Sequence, residues 1–118
     1  MYKKIGLALA AVALLFCPAL AQLKLWQKGV LKDEFIYDKA PYPQCHAATI
    51  AQTPKGMVAA WFGGTKERNP DVCIWVSRLV NGKWTEGINV ANGIQNDTLR
   101  YPTWNPVLYQ VPGGKLLL

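Results

Sequence analysis

After residue 21 no stretch of the chain spaces its apolar residues at the interval of an amphipathic helix. Short apolar runs alternate instead with Gly, Pro and Asn clusters, the pattern of many short β-strands. The runs predict strands over 35–37, 47–52, 57–62, 72–77, 83–85, 88–91, 106–111 and 115–118. Turn chemistry separates them. In Thr53-Pro54-Lys55-Gly56, proline fixes φ and glycine is free to take a positive one. Asn81-Gly82 is a hairpin turn signal. Polar loops are expected over 65–70 and 92–99. The fold class is therefore all-β.

The pattern repeats. Residues 49–60 align without gaps with residues 107–118, an offset of 58 residues, and Gln52/Gln110, Pro54/Pro112 and Gly56/Gly114 are identical. About four predicted strands lie within one period. That is the content of a β-propeller blade with a long connection, simpler blades running to about 40–50 residues. The other reading is two generic hairpins. A propeller closes with roughly 4–8 blades. The chain accordingly reads as a first blade and the first hairpin of a second, in a fragment of a longer protein. It ends on a Gly-Gly turn and an apolar run, the start of a strand. The segment before Ala40 is expected to close the ring against the last blade.

The N-terminus changes how the composition is read. Lys3 and Lys4 precede 13 apolar or small residues, Ile5 to Cys17, and Ala19-Leu20-Ala21 follows. This is the layout of a secretory signal peptide, with cleavage expected before Gln22 and a secreted or periplasmic bacterial protein as the product. An uncleaved membrane anchor needs about 20 apolar residues. Phe16 is too bulky for Cys17 to read as a lipid-attachment site. The whole chain has 118 residues, 51% hydrophobic and 17% charged, which excludes a disordered chain. Its net charge is +6, but removing residues 1–21 with their two lysines leaves 97 residues at +4. These charges are scattered, whereas a nucleic-acid footprint is a stripe or patch. A nucleic-acid partner is set aside, as is a stable membrane anchor after cleavage.

Three segments carry a resemblance. Cys45-His46-Ala47-Ala48-Thr49-Ile50, Ala60-Trp61-Phe62-Gly63-Gly64-Thr65-Lys66-Glu67 and Asp71-Val72-Cys73-Ile74-Trp75-Val76-Ser77-Arg78 resemble the sialidase-like, BNR-repeat family of bacterial secreted proteins. Arg100-Tyr101-Pro102-Thr103-Trp104-Asn105-Pro106-Val107-Leu108 resembles the start of that family's second blade. Ser77 to Trp84 resembles a worn Asp-box turn that keeps Ser77, Gly82 and Trp84 in order but has Leu79 where Asp would stand and departs from the family's spacing. The resemblance implies a six-bladed sialidase-type propeller and a glycoside hydrolase (exo-alpha-sialidase, or neuraminidase) acting on terminal sugars of glycans.

In such a ring the ligand site lies at one end of the central channel. His46 and Trp104-Asn105 are then expected there from the innermost strands, and Glu67, Arg68 and Asp71 from the loop between second and third strands. His46 has the chemistry of a general acid or base; the alternative is a hydrogen-bonded histidine at a strand start. Glu67 stands about where sialidases carry the acid that protonates the glycosidic oxygen; the alternative is a solvated loop carboxylate. Asp71 completes the catalytic set or only caps its loop. Arg68 and Arg100 are candidates for substrate binding, Arg100 through a two-pronged grip on a carboxylate or else as a structural bond on the inter-blade loop. Trp104 and Asn105 are candidates for holding a sugar. Trp61, Trp75 and Trp84 are expected to pack between blades.

One departure limits the substrate. Where the family has an Arg-Ile-Pro motif, with the first of three carboxylate-binding arginines, this chain has Gln44-Cys45-His46. Sialic acid does not follow, and a uronic acid or rhamnose glycan suits a histidine there equally. A non-catalytic carbohydrate-binding propeller is the alternative class, and a stand-alone small domain a third. With one histidine, no His-based metal cluster can be built, and no cofactor is called for. Cys45 and Cys73 are placed on strands two apart, about 9–10 Å from each other. A disulfide needs Cα atoms within about 7 Å, so both are expected to be free.

Overall fold

The computed structural model describes residues 29–118, and the predicted signal segment lies outside them. The chain divides into two units, Met1–Glu34 and Phe35–Leu118. In the first, Lys32 Nζ lies 2.7 Å from Glu34 Oε2. The second holds seven strands, β1 (Gln44–Thr53), β2 (Gly56–Gly64), β3 (Cys73–Val80), β4 (Lys83–Trp84), β5 (Ile88–Ala91), β6 (Tyr109–Gln110) and β7 (Leu116–Leu117). There is no helix among the described residues.

The first hairpin forms where its turn residues place it. Lys55 N donates to Thr53 Oγ1 at 3.1 Å, and that hydroxyl donates to Gly56 O at 2.7 Å. Gly56 has φ +106°, and a Cβ there would sit 2.7 Å from the Leu79 carbonyl oxygen, so the position is closed to other residues. β1 and β2 then pair antiparallel from Thr53↔Gly56 to Gln44↔Gly64, with a bulge between His46 and Thr49. Ala47 sits in the bulge at φ +53°. An L-residue there costs about 1–2 kcal/mol, which the ladder on either side offsets.

β2 pairs antiparallel with β3, placing Trp61 opposite Trp75 and Gly63 opposite Cys73. Asn81 and Gly82 both have positive φ, 51° and 76°, as a tight hairpin turn into β4 requires. β4 and β5 both pair with β3, so they act as one interrupted fourth strand. Side chains bridge the interruption: Ser77 Oγ donates to Thr85 O at 2.7 Å, and Arg78 N donates to Thr85 Oγ1 at 3.0 Å. The result is a four-stranded antiparallel meander, the form of a propeller blade. Within the Ser77–Trp84 stretch, Asn81-Gly82 is the β3–β4 turn.

Alternation sends successive side chains to opposite faces. On one face Val58, Ala60 and Val76 form a core with Leu108, against which Ala51 and Leu116 pack. This joins the blade to the second hairpin, β6–β7. Toward the other end of the same face, Phe62, Val72 and Ile74 gather with Ala47 and Ala91. On the opposite face Trp61 is buried, and its Nε1 donates to the Tyr42 hydroxyl. Tyr42 lies 4.7 Å from Trp75, and Tyr37 lies 5.3 Å from Trp61, between ring centroids. Each such aromatic pair adds about 0.5–1.5 kcal/mol beyond its burial. Burial also pushes the Tyr37 and Tyr42 hydroxyls above the ordinary phenol range. A Cβ on Gly63 would lie 2.6 Å from the Tyr42 ring, so Gly63 provides that ring's seat.

Two expectations are corrected. Residues 35–37 form no strand. Pro41 and Pro43 deprive the following segment of backbone donors, and Tyr37 is committed to the face of Trp61. The strand expected over 106–111 shrinks to Tyr109–Gln110, because Leu108 turns into the blade's core while the backbone before it runs unpaired. Elsewhere strands are found at the predicted places. β1, β2 and β3 run longer than their apolar runs because pairing carries the ladder through polar and glycine positions.

Candidate functional site

His46 and Glu67, which come from different elements, line one cavity of about 430 Å³. His46 lies near the start of β1, just before the bulge. Its exposed ring stands edge-on to Phe62, 5.8 Å between centroids. Gln44, Cys45, Phe62 and Val72 complete most of the wall.

Glu67 is brought there by a tightly bonded loop between β2 and β3. The Asp71 carboxylate accepts from Thr65 N at 2.8 Å and from Thr65 Oγ1 at 2.9 Å. Asn69 Nδ2 donates to Thr65 Oγ1 at 2.9 Å, Asn69 N to Lys66 O at 3.0 Å, and Val72 N to Asn69 O at 3.1 Å. Glu67 N donates to Gln44 Oε1 at 3.4 Å, which ties the loop back to β1. The loop ends approach so closely that a Cβ on Gly64 would lie 2.9 Å from Val72 Cα. The N–H of Thr65 holds the Asp71 carboxyl below its usual range, although burial acts in the opposite sense. Arg68, at φ +75°, lines a neighbouring depression of about 440 Å³ with Lys66, Glu67 and Asn69. Glu67 therefore stands between the two.

The remaining predicted residues are not part of this cavity. Asp71 has its carboxylate turned to its own loop. Arg100 Nη2 donates to Asp71 O at 3.1 Å and to Cys73 Sγ at 2.8 Å, so it fastens the start of β3. Its buried Nε has no hydrogen-bond partner. Thr103 N and Oγ1 both donate to Val72 O, at 3.1 and 2.9 Å, anchoring the approach to the second hairpin. Trp104 is 52% exposed and Asn105 is exposed. Cys45 and Cys73 are free, as their strand placement predicts. Among the described residues no group of three or more His, Cys, Asp or Glu could hold a metal ion.

Sequence reasoning found the imidazole and the carboxylate that meet at this cavity. It missed Gln44 and Phe62. The signal for both is the register: His46 opposite Phe62 and Gln44 opposite Gly64 follow once the Thr53–Gly56 turn is fixed and one bulge residue is allowed. An imidazole and a carboxylate at one cavity can donate and accept protons on a bound ligand.

No curated protein and no solved structure matches the chain. Residues 55–118, more than half of it, match the BNR repeat-like domain. The match spans the loop that carries Glu67, Arg68 and Asp71 as well as Arg100, Trp104 and Asn105, and it begins after His46. BNR repeats typically form blades of β-propellers, which agrees with the four-stranded meander described above. The chain therefore belongs to the BNR repeat-like domain family.

Proposed function

We propose that this chain is the N-terminal part of a secreted, sialidase-like glycoside hydrolase that acts on terminal sugars of glycans. In this reading it supplies the first blade and the start of the second blade of a six-bladed ring. The observation that carries it is the shared cavity of His46 and Glu67, at the end of the blade where β1 begins. Glu67 is the acid that protonates the leaving glycosidic oxygen. His46 is its partner base, or the group that hydrogen-bonds the sugar ring. Arg68 reaches the sugar from the adjoining depression, and Trp104 and Asn105 contribute from the second blade. Gln44-Cys45-His46 in place of an arginine motif favours a uronic acid or rhamnose glycan over sialic acid.

The test is turnover by the complete propeller protein on sialyl, uronyl and rhamnosyl aryl glycosides, with Glu67→Gln and His46→Ala beside the unaltered protein. Loss of turnover in both variants, with binding retained, is the expected result. No turnover of any of the three substrates sinks the enzymatic reading. One observation favours a second reading, a non-catalytic carbohydrate-binding propeller: Asp71 and Arg100 are both engaged in structural bonds. Binding of a glycan without hydrolysis would select it.

A further inference from the structure

The loop that carries Glu67 is closed by its own bonds. Thr65, Lys66, Asn69, Asp71 and Val72 supply every partner, at 2.8–3.1 Å. Its two ends meet at a neck where Gly64 approaches Val72 too closely for a Cβ. None of these bonds reaches β1. Among the described residues, one side-chain hydrogen bond joins residues 65–72 to that strand, from Glu67 N to Gln44 Oε1 at 3.4 Å. It is the longest of the loop's bonds, and it lies on the exposed surface. Its loss would pass the Glu67 N–H to water at small cost and leave the bonds within the loop intact.

We propose that Gln44 is a positioning residue: it sets where Glu67 stands relative to the strand that carries His46, and it does so without helping to fold the loop. This rests on the reading of Glu67 as the acid. A loop bonded only to itself moves as a body about its neck. Glu67 borders two spaces, the cavity it shares with His46 and the depression it shares with Arg68. The tie to Gln44 holds it to the first. Gln44 suits this task by place and by chemistry. It opens β1, lines the same cavity as His46, and pairs with Gly64 at the loop's neck. A backbone N–H only donates, so the amide must turn its oxygen to Glu67. Proton transfer needs donor and acceptor within about 2.6–3.2 Å of each other, and a misplacement of about 1 Å can cost about a hundredfold in rate. A bond of little weight in stability therefore carries much more weight in placement.

The test compares Gln44→Met, which keeps the length of the side chain and removes the acceptor, with Gln44→Glu, which keeps an acceptor oxygen at the same reach. In the full chain, amide hydrogen exchange at Glu67 is expected to rise about threefold or more in Gln44→Met. The Thr65, Asn69 and Val72 amides should exchange as before, and Gln44→Glu should leave the Glu67 amide protected. In the complete propeller protein, on whichever aryl glycoside it cleaves, Gln44→Met is expected to lower kcat about tenfold or more, with KM and Tm unchanged. Gln44→Glu should lose less. An unchanged Glu67 amide in Gln44→Met overturns the proposal. So does equal acceleration at all four amides, because Gln44 would then merely help to fold the loop. Full kcat in Gln44→Met, on a substrate whose turnover Glu67→Gln abolishes, overturns it as well. If no glycoside is cleaved, the hydrolase reading falls on its own, and the Glu67 amide decides whether Gln44 places that residue.

Discussion

The two hairpins related by the 58-residue repeat share their turn signature but not their structure. In the first, Thr53 and Gly56 pair directly across Pro54-Lys55, and the ladder runs on for the full length of β1 and β2. In the second, Val111 N donates to Lys115 O at 3.0 Å across three residues where the first turn has two, and only Gln110↔Leu116 and Tyr109↔Leu117 form the ladder. The hydrogen bonds show how each turn is closed. The Gly56 carbonyl is taken by the Thr53 hydroxyl. The Gly114 carbonyl, its repeat equivalent, is taken by Gln110 Nε2 at 2.9 Å, because Val111 stands where Thr53 does and has no hydroxyl. In both hairpins the glutamine also donates to the carbonyl of the next residue. In the first hairpin β2 is covered on both faces, by Leu108 on one and by Tyr37 and Tyr42 on the other, while β1 lies largely exposed. The second leaves Val107, Tyr109 and Leu117 more than half exposed. A turn sequence fixes where a hairpin starts; its neighbours decide how far it runs.

That contrast can be broken or sharpened by substitution. The largest effect is expected from Trp61→Ala, about 3–5 kcal/mol of stability in urea unfolding, against about half a kcal/mol or less for Tyr109→Ala on the open face. Equal losses would remove the distinction between covered and uncovered hairpins. Next is Gly56→Ala, expected to cost about 1–3 kcal/mol because of its positive φ and because its new Cβ would meet the Leu79 carbonyl. Gly114→Ala has no positive φ against it and meets the Val111 side chain at 2.9 Å in place of a carbonyl oxygen, so it should lose less in the same measurement.

The loop that continues the first hairpin gives a third test. Asp71→Asn is expected to cost about 1–2 kcal/mol, as for loss of a side-chain cap, with faster hydrogen exchange at the Thr65 amide. The sign of its pH dependence follows from the lowered folded-state pKa. The contribution of Asp71 is complete above its unfolded-state pKa and is lost as pH falls through the lower folded value. In Asp71→Asn that acid-side dependence should be reduced. The smallest effect belongs to Gln110→Ala, about 0.5–1 kcal/mol, read from exchange of the Val111 and Gly114 amides. Gln52→Ala removes one local bond and should change less.

The strand plan was legible because turn chemistry is local. Pro54-Lys55-Gly56 and Asn81-Gly82 stand at their predicted places, and β5 has its predicted bounds. The residues 35–37 misled because an apolar triplet reads alike whether it pairs with a strand or lies on an aromatic face. Of the candidate site, the placing of His46 and Glu67 at one cavity was legible through blade geometry. The roles of Asp71 and Arg100 were not, since a charged residue in a loop looks the same in sequence whether it faces a ligand or its own backbone. What decides between them is the Thr65 amide in one case, and the Asp71 carbonyl and Cys73 sulfur in the other.

Cys45 and Cys73 oppose the same residue, Gly63, from either side of β2. One is exposed and the other buried. With Cys17 replaced by Ser, a thiol reagent therefore meets one sulfur immediately and the other only when the start of β3 releases Arg100 and parts from β2. The slow alkylation step becomes a clock for local opening of the blade, with the fast step as its internal zero.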